Sequence, residues 1–192
     1  MTANLPEAAH LEDDVVRLEP LTLDHVPDLY AAAGRDETVW RWLPASAPQS
    51  EAEMTALAER VIAEDAHVPH AVILKESGRA IGWSAYCDVP GFDASLEIGW
   101  TWYAQAHWRG PVNTSCKILL LDHGFGLGFN RMLLKTDVLN LRSQEAIKRI
   151  GGVYEGTLRR HRLRPDGTWR DTVYFGLLAE EWPAHRERLL NR

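Results

Sequence analysis

The chain has 192 residues, of which 45% are hydrophobic and 25% charged, and its formal net charge is −6. This length and composition are typical of one globular domain with a sizeable core. The acidic balance argues against a general binder of nucleic acid or membrane surfaces, because both need a basic face, and it suits a cationic substrate such as an amine.

The two cysteines, Cys87 and Cys116, lie far apart in the sequence. No cysteine or histidine cluster has zinc-ligand spacing, so we expect neither a disulfide scaffold nor a bound metal. The N-terminal residues lack the features of a signal peptide, and no apolar run reaches the roughly 20 residues of a membrane span. We therefore expect a cytoplasmic protein with one domain over residues 1–192, of which residues 1–14 form a loosely ordered tail.

Hydrophobic periodicity and capping residues predict alternating strands and helices. A strand over residues 15–18 precedes a helix capped by Thr22 or Asp24, and a capping box of Ser50 and Glu53 begins a second helix. The later predicted elements are strands at 70–75, 80–87 and 95–103, a helix opening near 113, a strand at 132–138, a helix at 143–150, and a hairpin over 153–163 and 169–178. This order predicts an α/β (α+β) fold with a mixed, mostly antiparallel sheet and helices on both faces.

Pro90 and Gly91 are predicted to interrupt the secondary structure. The strand that follows, at 95–103, alternates strongly between apolar and polar residues. Strict alternation places Leu96, Ile98, Trp100 and Trp102 on one face, with Glu97 on the other. Most of the eight tryptophans are expected in the framework, and a few in the wall of a ligand cleft.

Several short segments occur at particular places in this element order. They are Glu97-Ile98-Gly99-Trp100, the loop 108–113, the run 140–143, the segment 150–156 and the hairpin turn 164–168. Together they resemble the GNAT acetyltransferase family, and most closely its branch of RimJ/RimL ribosomal-protein N-terminal acetyltransferases. The resemblance implies a single acyl-CoA-binding domain, acetyl-CoA as co-substrate and direct acetyl transfer to a primary amine.

The loop 108–113 departs from the family pattern of Gln or Arg, two residues, Gly, one residue, then Gly or Ala. The best register places Trp108, Pro111 and Asn113 at the three defined positions. Pro111 has no N–H to donate, so we expect Gly110 to supply the tight turn. The resemblance implies that this loop and helix N-terminus hold the coenzyme pyrophosphate. A capped helix that binds nothing is the alternative. The residues expected to contact the coenzyme are Trp100, Thr101, Trp102, Trp108, Arg109, Gly110, Val112, Asn113, Thr114, Asn140 and Arg142.

Acetyl transfer to an amine needs a group that removes a proton. Glu97 is the candidate base, because a carboxylate among aromatic residues has a raised pKa; a solvent-facing strand residue is the alternative. The resemblance gives Ser143 the role of proton donor to the departing thiolate, although Ser143 and Asn140 are also ordinary helix caps. A bulge near Trp100 or Thr101 would let a backbone N–H bind the thioester carbonyl. Weaker candidates for the base are Glu155, Asp171, His70, His107 and His161.

The acceptor pocket is less well defined by the sequence. The resemblance places Trp40 and Trp42 beside it, and packing in the core is the alternative for both. The basic run at 159–164 is either a solvated face or a contact for an acidic substrate or partner. We expect no nucleic-acid or membrane partner, and exposed strand edges favour a homodimer. A non-catalytic acyl-CoA sensor or assembly module on the same fold is the alternative function.

Overall fold

Eight strands and six α-helices follow one another in the computed structural model, which describes residues 3–89 and 92–191. The interruption of secondary structure predicted at 90–91 lies outside the described residues. The strands are β1 (Leu11–Glu12), β2 (Val16–Pro20), β3 (Val68–Leu74), β4 (Arg79–Cys87), β5 (Ser95–Tyr103), β6 (Arg131–Asp137), β7 (Val153–Leu163) and β8 (Trp169–Leu178). The helices are α1 (Val26–Ala33), α2 (Glu37–Trp40), α3 (Glu51–Ile62), α4 (Val112–Gly126), α5 (Leu141–Arg149) and α6 (Trp182–Leu190).

All eight strands belong to one sheet, in the order β1-β2-β3-β4-β5-β6-β8-β7. Every neighbouring pair is antiparallel except β5 and β6, which are parallel and are connected through α4. The predicted fold class, a mixed and mostly antiparallel sheet with helices, is confirmed. Within the segment expected to be a loose tail, β1 pairs with β2, so residues 11 and 12 belong to the sheet.

Local sequence signals explain how several helices begin. The Ser50 hydroxyl accepts a hydrogen bond from the Glu53 amide at 3.2 Å, and this cap starts α3 as predicted. Pro27 lies in the first turn of α1, where its missing N–H removes no helical hydrogen bond. In the described part of the chain, no helix has both the length and the apolar character needed to cross a bilayer.

Two hydrophobic clusters cover the opposite faces of the sheet. Along β3, Val72 belongs to the cluster under α4, α5 and α6, whereas Ala71 and Ile73 belong to the cluster under α1, α2 and α3. The second cluster contains three tryptophans, and the ring centroid of Trp102 lies 4.9 Å from those of both Trp40 and Trp83. Such aromatic contacts stabilise the fold by more than their buried area alone would, and they hold the helices on this face of the sheet.

A β-bulge interrupts the pairing between β4 and β5. Ala85 pairs with Gly99 and Trp83 pairs with Trp102, so one residue of β4 lies opposite residues 100–101 of β5. An extra residue of this kind stays outside the ladder and bends its strand. The bulge that the sequence analysis considered near Trp100 or Thr101 is therefore present.

The bulge also reverses the alternation of side chains along β5. Leu96, Ile98 and Tyr103 lie in the cluster under α4, whereas Trp102 lies in the cluster under α1–α3. The prediction that Trp100 and Trp102 share a face with Leu96 and Ile98 is wrong, because Trp102 lies in the opposite cluster and Trp100 packs against it. The inserted residue shifts the two-residue period.

Candidate active site

A cleft of about 620 Å³ opens where β5 and β6 separate. The two strands pair only from Ser95 to Glu97 of β5, and beyond Glu97 they diverge. Two parts of the wall differ in character. The α4 rim is the pair of segments 108–114 and 140–143, in which all residues except Pro111, Val112 and Leu141 line the cleft. The charged wall consists of Asp88, Glu97, Lys135, Arg162 and Arg170.

The α4 rim presents a helix N-terminus to the cleft. Pro111 is the N-cap of α4, without a side-chain capping bond, and the first helical amide with an acceptor is that of Ser115, which donates to the Pro111 carbonyl. The amides of residues 112–114 are therefore free of the helix ladder, which is the arrangement that binds anions. The helix was expected to open near Asn113, and it begins slightly earlier, at Val112.

The turn before α4 differs from the prediction in one respect. The left-handed residue is Arg109, with a φ of +63°, and not Gly110. Pro111 loses no helical hydrogen bond, because an N-cap amide lies outside the ladder. The side chain of Val112 is only 2% exposed and packs in the core, so this residue offers the cleft only its backbone N–H.

Two cationic side chains and an aromatic ring reinforce the α4 rim. The Trp108 indole N–H donates to the Tyr103 carbonyl at 2.9 Å, which fixes the ring. The Arg142 guanidinium lies 3.2 Å from the centroid of that ring, a cation–π contact. Burial lowers the pKa of Arg142, and the neighbouring charge of Arg109 lowers it further. Two cations close together and partly desolvated are a suitable site for a polyanion.

The start of α5 completes this rim. Asn140 is the N-cap, and its side-chain oxygen accepts from the Ser143 amide at 3.1 Å. Both residues line the cleft. Of the two caps considered from the sequence, Asn140 caps the helix, which leaves the Ser143 hydroxyl outside the capping bond.

The bulge in β5 rests on a buried lysine. Trp100 has a φ of +50°, a left-handed conformation that costs a side-chain-bearing residue roughly 1–2 kcal/mol. The Lys117 ammonium donates to the hydroxyls of Thr101 at 2.7 Å and Ser84 at 3.3 Å. Burial lowers the pKa of Lys117, which is only 5% exposed. This contact fixes the Thr101 side chain and supports the bulged backbone.

Glu97 lies where β5 and β6 begin to diverge and is only 4% exposed. Its Oε2 atom is 2.5 Å from Lys135 Nζ, so the two side chains form an ion pair. Lys135 also lies 3.7 Å from Asp88. The carboxylate is therefore buried and held by one cation at the edge of the cleft.

Burial raises the pKa of Glu97 to about 7. The Lys135 charge opposes this shift, and the nearby Asp88 adds to it. A carboxyl group with such a pKa is ionised in about half of the molecules at neutral pH, which is the range in which a general base works best.

Most of the predicted site residues line the cleft, whereas the two tryptophans proposed for the acceptor pocket differ in placement. Trp42 lines it, with the Arg41 guanidinium 4.7 Å above its ring. Trp40 is only 2% exposed and donates from its indole to the Ala33 carbonyl at 2.7 Å, so it belongs to the core. Trp102 borders the cleft, but its ring is buried among tryptophans, and only its backbone is available.

The weaker candidates for the base lie mostly in other contacts. Glu155 forms an ion pair with Arg131, and Asp171 accepts from the Arg160 amide at 2.7 Å. His70 is fully buried and accepts from the amide of Ala9 at 3.3 Å. His107 lines the cleft.

Both cysteines are buried with raised thiol pKa values, and burial is the main cause, so neither is an activated nucleophile.

The sequence analysis missed several cleft residues, among them Lys117, Lys135 and Arg170. Lys117 occupies a helix position among apolar neighbours, and such a lysine is a detectable signal. Lys135 and Arg170 are charged residues of two strands, and the pairing of those strands decides which neighbours they meet. The sequence offers no signal for their convergence on Glu97.

The comparisons with known proteins decide the family. A family model for an acetyltransferase (GNAT) domain matches residues 16–153, well over half of the chain. The chain belongs to the GNAT acetyltransferase family. This GNAT protein is 30% identical to a GCN5-related N-acetyltransferase from Brucella melitensis, with a TM-score of 0.94 over 99% of this chain and 87% of that one. No curated protein sequence matches it.

Two further solved structures are similar to this chain. A probable acetyltransferase of the GNAT family from Chromobacterium violaceum ATCC 12472 is 28% identical, with a TM-score of 0.89 over 95% of this chain and 92% of that one. RimJ from Mycobacterium smegmatis, in complex with CoA-disulfide, is 22% identical, with a TM-score of 0.78 over 98% of this chain and 94% of that one. The likeness to RimJ, at this identity, shows a shared fold.

Proposed function

We propose that this GNAT protein transfers the acetyl group of acetyl-CoA directly to a primary amine, either a protein N-terminus or a small-molecule amine. The observation that carries the proposal is Glu97, a buried carboxylate with a pKa of about 7 at the point where β5 and β6 diverge. A binding module would have no need to hold a half-ionised base in its cleft.

The α4 rim is suited to the pyrophosphate of the coenzyme. The free amides of residues 112–114 can donate to its oxygens, and Arg109 and Arg142 lie beside them. In the proposed complex the pantetheine arm lies along β5 in the gap left by β6. Asn140 borders that path.

The transfer follows from the chain's own groups. The amine nitrogen attacks the thioester carbon, and Glu97 accepts the proton that the amine loses. A backbone N–H of the bulge at Trp100 or Thr101 donates to the carbonyl oxygen as its negative charge develops. The new C–N bond forms and the C–S bond breaks. Ser143 donates a proton to the departing thiolate and regains one from water. No covalent enzyme intermediate is needed.

A thiol-release assay with acetyl-CoA and a panel of primary amines tests the proposal. Release that depends on both the amine and the coenzyme supports transfer. Tight binding of CoA without release on any amine favours the alternative, an acyl-CoA sensor or assembly module. Failure to bind CoA in calorimetry contradicts both functions.

The exposed edge strand β7 favours a homodimer, and this assembly is part of the proposal. Val153, Tyr154, Leu158 and Leu163 of this strand are each about half exposed or more, and an unpaired apolar edge tends to associate. Light scattering of the purified protein measures the mass. A monomeric mass at micromolar concentration contradicts the dimer and leaves the transferase proposal unaffected.

A further inference from the structure

Two arginines face each other across the final hairpin and line the cleft. Arg162 of β7 pairs with Arg170 of β8 in the strand register, and both contribute to the cleft wall. Like charges directly opposite each other on a sheet are destabilising. Such a pair is therefore unfavourable for the protein alone, and a bound anion between the two guanidinium groups would remove the repulsion.

The acidic side chains near this arginine pair already have other partners. Asp137 accepts from Arg164 Nε at 2.7 Å and Nη2 at 3.1 Å. Glu97 and Asp88 are both close to Lys135. Within the part of the chain that the structure describes, neither Arg162 nor Arg170 forms an ion pair with a carboxylate.

Arg170 is the more buried of the two arginines, and its guanidinium group is not fully hydrogen-bonded by the residues described. Its Nε–H is buried and has no hydrogen-bond partner among the described residues. Burial lowers the pKa of Arg170; the charge of Asp137 opposes this shift, and the charge of Arg162 adds to it. Asp137 itself is hydrogen-bonded to Arg164, whose pKa it raises. A buried donor on a cation costs stability unless something accepts from it.

The arginine pair and the proposed base share one face of the sheet. Lys135 pairs with Tyr174, and Arg170 lies four residues before Tyr174 on β8, so both project to the same side by the two-residue period. Lys135 contacts Glu97 on that side, and the charge of Glu97 acts on Arg170. A ligand of a few atoms can therefore reach both.

We propose that Arg162 and Arg170 form an anion subsite beside the base, and that the preferred acceptor is an amine that carries a carboxylate group. This inference rests on the proposed acetyl transfer for its amine half. The amine would lie at Glu97, and the carboxylate would accept from both guanidinium groups, which recognise it in a forked geometry. A free acidic amino acid and a peptide with an acidic residue near its N-terminus offer this same chemistry.

The experiment compares matched acceptors that differ only in charge. The free amino-acid arm uses glutamate and glutamine amide, and the peptide arm uses Ser-Asp-Ala-Ala amide and Ser-Asn-Ala-Ala amide. Thiol release from acetyl-CoA gives KM and kcat for each. We expect the acidic member of at least one arm to have a KM at least tenfold lower than its neutral partner, and the favoured arm identifies the source of the carboxylate.

The variants Arg162→Gln and Arg170→Gln should each raise the KM of the acidic acceptor about tenfold or more. The KM of acetyl-CoA should stay within about twofold, and the KM of the neutral acceptor should rise much less than that of the acidic one. Arg170→Lys should restore part of the preference, because a point charge keeps the attraction and loses the fork. Arg159→Gln, an exposed charge on the same hairpin, is the matched control.

Direct binding separates this inference from the transferase proposal. Calorimetry with N-acetylglutamate and N-acetylglutamine amide, which has no carboxylate, in the presence of CoA, reads the subsite without turnover. Preference for the charged ligand that is lost in Arg162→Gln supports the subsite even if no amine is acetylated, an outcome that would contradict only the transfer. Equal affinity for both ligands, with equal KM values for the matched acceptors, would overturn the subsite. If Arg170→Gln does not fold, Arg162→Gln, at an exposed position, decides.

Discussion

The α4 rim and the charged wall are built from different parts of the chain. The α4 rim offers backbone amides at residues 112–114, supported by Trp108 and Arg142. The charged wall offers side chains, and its five charged groups come from five strands or their ends. A site made of backbone depends on local conformation and tolerates many side chains. A site made of charged side chains depends on each residue and on how the strands pair.

This difference predicts that single substitutions in the charged wall act most strongly. Glu97→Gln should lower kcat/KM about 10²- to 10³-fold, because the neutral amide cannot accept the proton of the amine. The measurement is thiol release with saturating acetyl-CoA, with the melting temperature as a check of folding. Glu155→Gln, a carboxylate paired with Arg131 outside the cleft, should leave the rate within about twofold. An equal rate in Glu97→Gln would remove Glu97 from the mechanism.

In the α4 rim, only a change to the backbone should have a large effect. Asn113→Pro removes one amide from the first turn of α4, where proline is tolerated, and should weaken CoA binding about tenfold, the value of one hydrogen bond to a charged group. Calorimetry with CoA measures it. Asn113→Ala keeps the amide and should change the affinity less than threefold. If alanine weakens binding as much as proline does, the side chain is the ligand.

The Lys135 ammonium tunes the base through its charge. It lowers the pKa of Glu97, which is about 7 in its presence, so Lys135→Met should raise that pKa. The active form is the ionised one, so the acidic limb of the profile of kcat/KM against pH should move to higher pH. The rate at pH 7 should fall several-fold and recover in alkaline buffer. Lys75→Met, which removes an exposed lysine paired with Glu12, should leave the limb in place. If the acidic limb of the pH profile does not move in Lys135→Met, the group that titrates there is not Glu97.

The smallest effect is expected from the cation above Trp108. Arg142→Ala should weaken CoA binding about threefold, because it removes one charge near the phosphates from a site that retains its amides. Titrations at two ionic strengths should show a shallower salt dependence in the variant, since fewer ionic contacts are made. An unchanged affinity would mean that Arg142 only covers the Trp108 ring.

The sequence allowed the prediction of more of the α4 rim than of the charged wall. Caps such as Asn140 and the loop before α4 are local features, and they were placed within one or two residues. The bulge near Trp100 was considered, but the sequence could not show that it exists, because it arises from pairing with β4. Lys135 and Arg170 acquire their role from strands that are distant in sequence. Trp40 was proposed for the acceptor pocket and lies in the core. Aromatic residues are common both in pocket walls and in cores, so the residue type could not decide between the two.

The separation of β5 from β6 gives the sheet an open edge at its centre. Strand edges normally lie at the rim of a sheet, where their amides exchange hydrogen with solvent, and here the cleft side of β5 beyond Glu97 is also unpaired. We expect these central amides to exchange deuterium faster than those of β3 and β4 in the free protein, and to slow when CoA is added. A ligand that lies along this edge acts as a missing strand. Its binding then joins two halves of the sheet that otherwise pair over only three residues. Because the ligand binds the folded state, it should also stabilise the whole domain against unfolding.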